Sequence, residues 1–173
     1  MIRQCKESDF NSVFEIINDA AQAYKGVIPQ DRWHEPYMSF EELMNEIKDG
    51  VVFWGLEHDG RLLGVMGIQD KENITLIRHS YVRPQAQKRG MGTKLLQYLE
   101  SITDKPVLIG TWAASLWAIA FYQKNGYTLV SEEEKNRLLR YYWSIPKRQV
   151  ETSVVLAKQT WFSSQQDRGA VTD

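Results

Sequence analysis

The sequence is poor in the features that would commit it early to a specialised class. It has a single cysteine, Cys5, among 173 residues, so no internal disulfide can staple the fold and a reducing, cytoplasmic setting is expected. Neither sign of charge dominates, since 21 lysines and arginines face 22 aspartates and glutamates, for a formal net charge of -1. A sequence-independent nucleic-acid binder carries a basic excess, so nucleic acid is not an expected partner. No apolar run approaches the roughly 20 residues needed to cross a bilayer. The opening Met1-Ile2-Arg3-Gln4-Cys5-Lys6 lacks the apolar stretch of a secretory signal, so no membrane partner is expected either.

What is present is ordinary in bulk and unusual in one respect. Hydrophobic residues make up 43% and charged residues 25%, as in a globular domain with a sizeable core. Six tryptophans and eight tyrosines are many for this length, and they recur in Tyr24–Tyr37 and Trp112–Trp117. Aromatic density of this kind serves core packing, or it walls a pocket for a small molecule.

Periodicity divides the chain into short elements. Residues 1–6 read as a strand. Val13, Ile16, Ile17, Ala20 and Tyr24 recur at helical spacing over about 9–24, and Gly26 and Pro29 end that helix. Val27–Met38 has no clean period and reads as a loop. Ser39 offers an N-cap for a second helix with Leu43 and Ile47 facing inward and Glu42 in capping-box position. Val51–Glu57 and Arg61–Gln69 are apolar runs joined by His58-Asp59-Gly60, a hairpin signal. A strand over Asn73–Val82 precedes a helix over Gly90–Thr103 and a short strand over Pro106–Gly110. Ala114–Asn125 reads as a helix with Ala118, Phe121 and Tyr122 inward. Tyr127–Val130 reads as a strand, Glu132–Tyr142 as a helix and Val150–Lys158 as an alternating strand. From Ser163 the chain is polar and reads as a frayed tail. The order predicts an α/β (α+β) fold, a mixed sheet with helices on both faces, in one domain over residues 1–160 followed by a polar tail over 161–173.

One junction carries chemistry. After Arg83-Pro84 comes Gln87-Lys88-Arg89-Gly90-Met91-Gly92-Thr93, and a helix begins. The first turn of a helix presents free N–H groups and the positive end of its dipole, which suits a pyrophosphate. Gly90 and Gly92 remove the Cβ atoms that would obstruct it, and Lys88 and Arg89 add positive charge. A Walker loop is absent, and Leu95 stands where a dinucleotide fingerprint needs its third glycine. A tight strand-to-helix turn with no ligand would also account for Gly-x-Gly alone.

The wider pattern is more specific. Val82-Arg83-Pro84-x-x-Gln87-x-x-Gly90-x-Gly92 resembles motif A of the GNAT superfamily of N-acetyltransferases. Ala118-Ile119-Ala120-Phe121-Tyr122-Gln123-Lys124-Asn125-Gly126-Tyr127 resembles its motif B, with one helix and one strand between the two. The element order over residues 1–158 is similar to the family's fold, with a mostly antiparallel sheet whose central strands, here 73–82 and 106–110, splay apart.

The resemblance implies an acetyl-CoA-dependent N-acyltransferase with no metal. The pyrophosphate of acetyl-CoA would take backbone N–H groups from Gln87, Lys88, Arg89, Gly90, Met91, Gly92 and Thr93, and the pantetheine arm would pair with backbone near Tyr81 and Val82. Tyr122 falls where many family members place a tyrosine that protonates the departing thiolate. Ser115 stands where motif B often has asparagine, and it could still bond the pantetheine. The glutamate that some members use as general base is Leu76 here, so that role does not carry over. Arg78 and His79, expected on opposite faces of their strand, and Glu35 with His34 are the ionisable candidates, and His79 titrates in a suitable range. The alternative is no dedicated base, with the proton leaving along ordered waters. The region holding Tyr24, Lys25, Trp33, His34, Glu35, Tyr37 and Met38 would shape an acceptor pocket, and Tyr141-Tyr142-Trp143 could line it too. Cys5 is a poor nucleophile candidate, so direct attack by the amine in a ternary complex is implied. The expected acceptor is a small-molecule primary amine. A protein N-terminus or lysine, a non-catalytic acyl-CoA sensor and a homodimeric assembly stay open.

Overall fold

Strand order along the seven-stranded sheet is β1-β2-β3-β4-β5-β7-β6 in the computed structural model, which describes residues 1–169. The strands are β1 (Ile2–Gln4), β2 (Val52–His58), β3 (Arg61–Lys71), β4 (Ile74–Val82), β5 (Val107–Trp112), β6 (Thr128–Leu129) and β7 (Ser153–Ala157). The helices are α1 (Phe10–Ala21), α2 (Phe40–Lys48), α3 (Met91–Ser101), α4 (Leu116–Lys124), α5 (Glu132–Tyr142), α6 (Lys147–Glu151) and α7 (Gln159–Gly169). The mixed, mostly antiparallel α/β architecture expected from the sequence is the one observed. No helix among the described residues is long and apolar enough to cross a membrane.

The chain divides into two compact units. The first comprises Met1–Asp70 and Ile77–Asp104. Its α1 buries Val13, Ile16, Ile17 and Ala20, the stripe that the helical spacing predicts. Of these, Val13, Ile16 and Ile17 meet Met38, Leu43, Phe53 and Val65 in one apolar cluster, and each full burial of such a large side chain stabilises by roughly 1.5–3 kcal/mol. Ser39 caps α2, its Oγ accepting from the Glu42 N–H at 3.0 Å. Asn18 clips the incoming loop to α1, because its amide donates to the Met38 carbonyl and accepts from the Met38 N–H, both at 2.9 Å. The β2–β3 hairpin turns through Asp59 and Gly60 at φ 51° and 74°, the doubly left-handed pair a type I′ turn requires.

The second unit comprises Lys71–Leu76 and the described chain from Lys105. β5 and β7 pair antiparallel, from Leu108 opposite Ala157 to Trp112 opposite Ser153. Ser131 caps α5, accepting from the Glu134 N–H at 3.2 Å. Leu138, Leu139 and Trp143 join Ile74, Leu76, Leu108 and Val155 in a second apolar cluster. Lys135 is buried, and its ammonium is satisfied by donating to the Val150 carbonyl at 2.9 Å.

Three expectations near the C-terminus are corrected here. Val150–Lys158 is not one strand: α6 takes Lys147–Glu151, and β7 begins at Ser153. The bond from Lys135 holds Val150 in that helical turn, a contact across 15 residues that alternation cannot register. The tail expected from Ser163 is instead part of α7, anchored by buried Trp161; residues 170–173 of that tail lie outside the described residues. On α4 only Tyr122 is buried, while Ala118 and Phe121 are half-buried.

Candidate active site

The glycine-containing loop lies in the first unit and is built almost wholly from backbone. β4 ends at Val82, and the chain turns through a short 3-10 segment, Pro84–Ala86, in which Ala86 is buried. Arg83 fixes the turn. Its N–H donates to the Leu63 carbonyl at 2.8 Å, and its Nε donates to the Leu62 carbonyl at 2.9 Å. Its guanidinium lies 3.8 Å from Glu15 and 3.6 Å from Asp19 on α1. Gln87 folds back, its amide donating to the Val82 carbonyl at 3.1 Å.

Lys88 and Gly90 then take left-handed conformations, φ 63° and 73°. Gly90 is the N-cap of α3 and has no side chain to satisfy the first turn, so the N–H groups of Met91, Gly92 and Thr93 keep their outward donors. That first turn contains no acidic residue. Lys88 and Arg89 are exposed and have no ion-pair partner among the described residues. Alternating left-handed residues at a helix start form a concave N–H cradle for an anion. The residues present therefore fit a pyrophosphate, with two cations at the rim.

Tyr81 and Val82, the last residues of β4, are half-buried. The Tyr81 ring meets Tyr24 edge-on at 6.3 Å, Tyr24 lies 5.3 Å from Tyr37, and Tyr37 stacks on Trp33 at 5.9 Å. Four aromatic rings thus run from the loop before α2 to the end of β4. Met38 is buried in the core beside them. Glu35 lies at the exposed end of this segment, 3.2 Å from Lys25, with half of its side chain in solvent. His34 Nδ1 is 2.8 Å from the Pro36 carbonyl oxygen.

Arg78 and His79 do not point to opposite faces. His79 sits at φ 54°, outside the extended region, and so breaks the two-residue alternation of the strand. Both side chains consequently reach Glu46 on α2: Arg78 Nη1 and His79 Nε2 each lie 3.1 Å from Glu46 Oε2. Arg78 also donates to the Gln69 side-chain oxygen at 3.1 Å, and Gln69 donates to the Asp49 carbonyl at 3.0 Å. Burial lowers the Arg78 pKa, with Glu46 and then Asp49 acting in the opposite sense. The His79 ring stacks on Phe53 at 6.0 Å. Glu46 and Gln69 escaped the sequence reading. Gln69, a polar residue ending an apolar strand run, was the one available signal, and nothing in the spacing of Glu46 marks it.

In the second unit, Ser115 precedes α4 and is wholly buried, with no hydrogen-bond partner for its Oγ. Tyr122 is 6% exposed and lies edge-on to Phe121 at 5.2 Å and to Tyr127 at 6.2 Å. Leu76 is a fully buried core residue. Tyr141 and Tyr142 donate to Glu72 at 3.0 Å and Asn73 at 2.8 Å. Trp143 is core, and Gly110 packs closely beside it, since a Cβ there would lie 3.2 Å from the indole. Among the described residues no cluster of three or more histidine, cysteine, aspartate or glutamate side chains could hold a metal ion.

Similarity to known proteins agrees with this fold. The chain is 26% identical over 132 residues to the peptidyl-lysine N-acetyltransferase YiaC of Escherichia coli, covering 75% of this chain and 84% of that one. Its fold is similar to that of the PaiA N-acetyltransferase of Thermoplasma acidophilum in complex with coenzyme A, with a TM-score of 0.69 at 20% identity over 91% of this chain and 97% of that one. It is also similar to the ribosomal-protein-S18-alanine N-acetyltransferase of Escherichia coli, with a TM-score of 0.63 at 15% identity over 91% and 92% of the two chains. The family described as "Acetyltransferase (GNAT) domain" matches residues 18–142, well over half of the sequence and inclusive of both motifs, and the chain therefore belongs to the GNAT acetyltransferase family.

Proposed function

We propose that this enzyme transfers the acetyl group of acetyl-CoA to the primary amine of a small molecule, by direct attack in a ternary complex. The observation that carries the donor half is the left-handed pair Lys88 and Gly90 opening α3, with the exposed cations Lys88 and Arg89 at its rim and no acidic residue in the turn. Gln87 through Thr93 would bind the pyrophosphate through backbone N–H groups, and Tyr81 and Val82 would pair with the pantetheine arm. The row of rings Trp33, Tyr37, Tyr24 and Tyr81 supports a compact amine-bearing acceptor, because aromatic faces attract a cation and exclude water.

The chemistry needs one proton removed and one supplied. An amine with a pKa near 10 is neutral in roughly one molecule in a thousand at pH 7. As its nitrogen bonds to the thioester carbon, the nitrogen gives up a proton, the carbon–sulfur bond breaks, and the thiolate takes a proton from a phenol. We assign the acid to Tyr122 and the base to His79, which is more enclosed than Glu35 and holds a fixed carboxylate contact. Ser115, buried with an unpartnered hydroxyl, is the proposed side-chain contact to the pantetheine.

A peptide lysine is the second reading, favoured by the similarity to a peptidyl-lysine acetyltransferase. A thiol-release assay with acetyl-CoA and four acceptors separates them: tyramine, putrescine, an N-terminally blocked lysine peptide and a peptide with a free N-terminus. Turnover with the amines and not the peptides is the expected result. Turnover confined to the peptides would replace the small-molecule reading. Tight coenzyme binding with no turnover on any acceptor would point to a sensor.

A further inference from the structure

We propose that Glu46 is the positioning residue of the acceptor site, fixing His79 as the Nε2–H tautomer so that Nδ1 is the nitrogen that accepts the amine's proton. The inference rests on the assignment of His79 as base.

Three observations converge. First, His79 holds a left-handed backbone, φ 54°, inside a strand. A non-glycine residue there is strained and persists only where its surroundings over-determine it. Here the determinants are visible: the imidazole stacks on Phe53 of β2 and bonds Glu46 of α2.

Second, the Glu46 carboxylate can only accept. It receives Arg78 at both oxygens, 3.3 Å to Oε1 and 3.1 Å to Oε2, and it lies 3.1 Å from His79 Nε2. A neutral imidazole facing such a group must carry its proton on Nε2, which leaves the lone pair on Nδ1. Among the described residues Nδ1 has no hydrogen-bond partner.

Third, Glu46 is itself held. Arg78 is anchored in turn by buried Gln69, whose amide donates to the Asp49 carbonyl. The charged groups around the imidazole are therefore Glu46 at the end of α2 and Arg78 beside it on β4, with Asp49 acting on Arg78; β2 and β3 supply uncharged Phe53 and Gln69. Arg78 offsets the charge of Glu46, so the carboxylate can orient His79 without being the only ion in the cluster. This is the division of labour of a fixed carboxylate behind a catalytic imidazole, assembled here from α2 and a left-handed residue in β4.

The test begins on the unmodified protein. Only three histidines occur, His34, His58 and His79, so nitrogen NMR of protein labelled at histidine, assigned by His79→Gln, reads the His79 tautomer directly. A proton on Nε2 and none on Nδ1 is expected. A His79 ring protonated on Nδ1 overturns the assignment, whether or not any Glu46 variant folds. Glu46→Gln should then populate both tautomers. It should lower kcat about 10–100-fold on whichever of tyramine, putrescine or the lysine peptide turns over, with acetyl-CoA affinity unchanged. In the His79→Gln background the same change should cost nothing further in kcat. Additive losses would make Glu46 merely structural and overturn the proposal. Full turnover by His79→Gln alone would instead remove the base assignment beneath it, and the wild-type tautomer keeps the two failures apart.

Discussion

The glycine-containing loop, the proposed donor site, and the Glu46–His79–Arg78 cluster both belong to the first unit, and both depend on residues in left-handed conformations, yet they are made of different material. The loop is backbone: Lys88 and Gly90 turn the chain so that α3 begins with open N–H groups. The cluster is side chain: a carboxylate from α2, an amide from β3, and a guanidinium and an imidazole from adjacent residues of β4. Backbone recognition suits a ligand part that never changes, the pyrophosphate of a shared donor. Side-chain recognition suits the part that differs between enzymes of one fold. The loop should therefore tolerate changes of side-chain chemistry and fail on added bulk, whereas the groups that handle protons should fail on the loss of a single polar atom.

The largest effect expected from this contrast is at Gly92. Gly92→Glu puts a side chain and a negative charge into the N–H cradle, and acetyl-CoA affinity measured by calorimetry should fall by at least about 100-fold. Unchanged affinity would remove the loop as the donor site. Tyr122→Phe comes next and has the opposite signature: kcat should drop by about 100-fold while acetyl-CoA affinity stays within about twofold. A wild-type rate would take Tyr122 out of the mechanism.

Ser115→Ala is a smaller and sharper test. Its buried hydroxyl has no protein partner, so removing it should leave the melting temperature unchanged or slightly higher. If Ser115 contacts the pantetheine, acetyl-CoA affinity should fall by about threefold; equal affinity would make it a packing residue.

The smallest effect lies away from both sites. Arg3 binds Asp9 at 2.8 Å and Glu57 at 2.7 Å. The Arg3 hydrogen bond holds the Asp9 carboxyl at about 2, down from 3.8. Since the folded value lies below the unfolded one, this contribution to stability is complete above about pH 4 and is lost as pH falls through about 2. Asp9→Asn should cost about 1 kcal/mol at neutral pH and flatten the acid limb of a melting-temperature profile, with kcat unchanged. A change in kcat would mean that this triad is coupled to the site.

Much of the fold was legible because its signals are local. Asp59-Gly60 announces its turn, Ser39 announces its cap, and the α1 stripe falls on core residues one turn apart. The expectations that failed needed distant partners. Alternation over Val150–Lys158 suggested a single strand, but a lysine on α5 holds Val150 in a helical turn. Polar residues after Ser163 suggested a tail, but Trp161 had a core to enter and α7 formed behind it. At the site, Gly90 could be read directly, since its left-handed φ of 73° is a conformation that suits glycine on local backbone geometry alone. Glu46 could not, because a glutamate on an amphipathic helix looks the same whether it faces solvent or a histidine.

By itself the sequence determined the family and the glycine-containing strand-to-helix junction, because two spaced motifs and that junction are encoded in contiguous residues and need no folding partner to be recognised. Only the tertiary structure decided that Arg78 and His79 share one carboxylate. That outcome depends on a left-handed residue inside β4 and on α2 delivering Glu46 from 32 residues away to Arg78. No periodicity carries either fact, since the left-handed conformation of His79 persists only while the surrounding packing holds it.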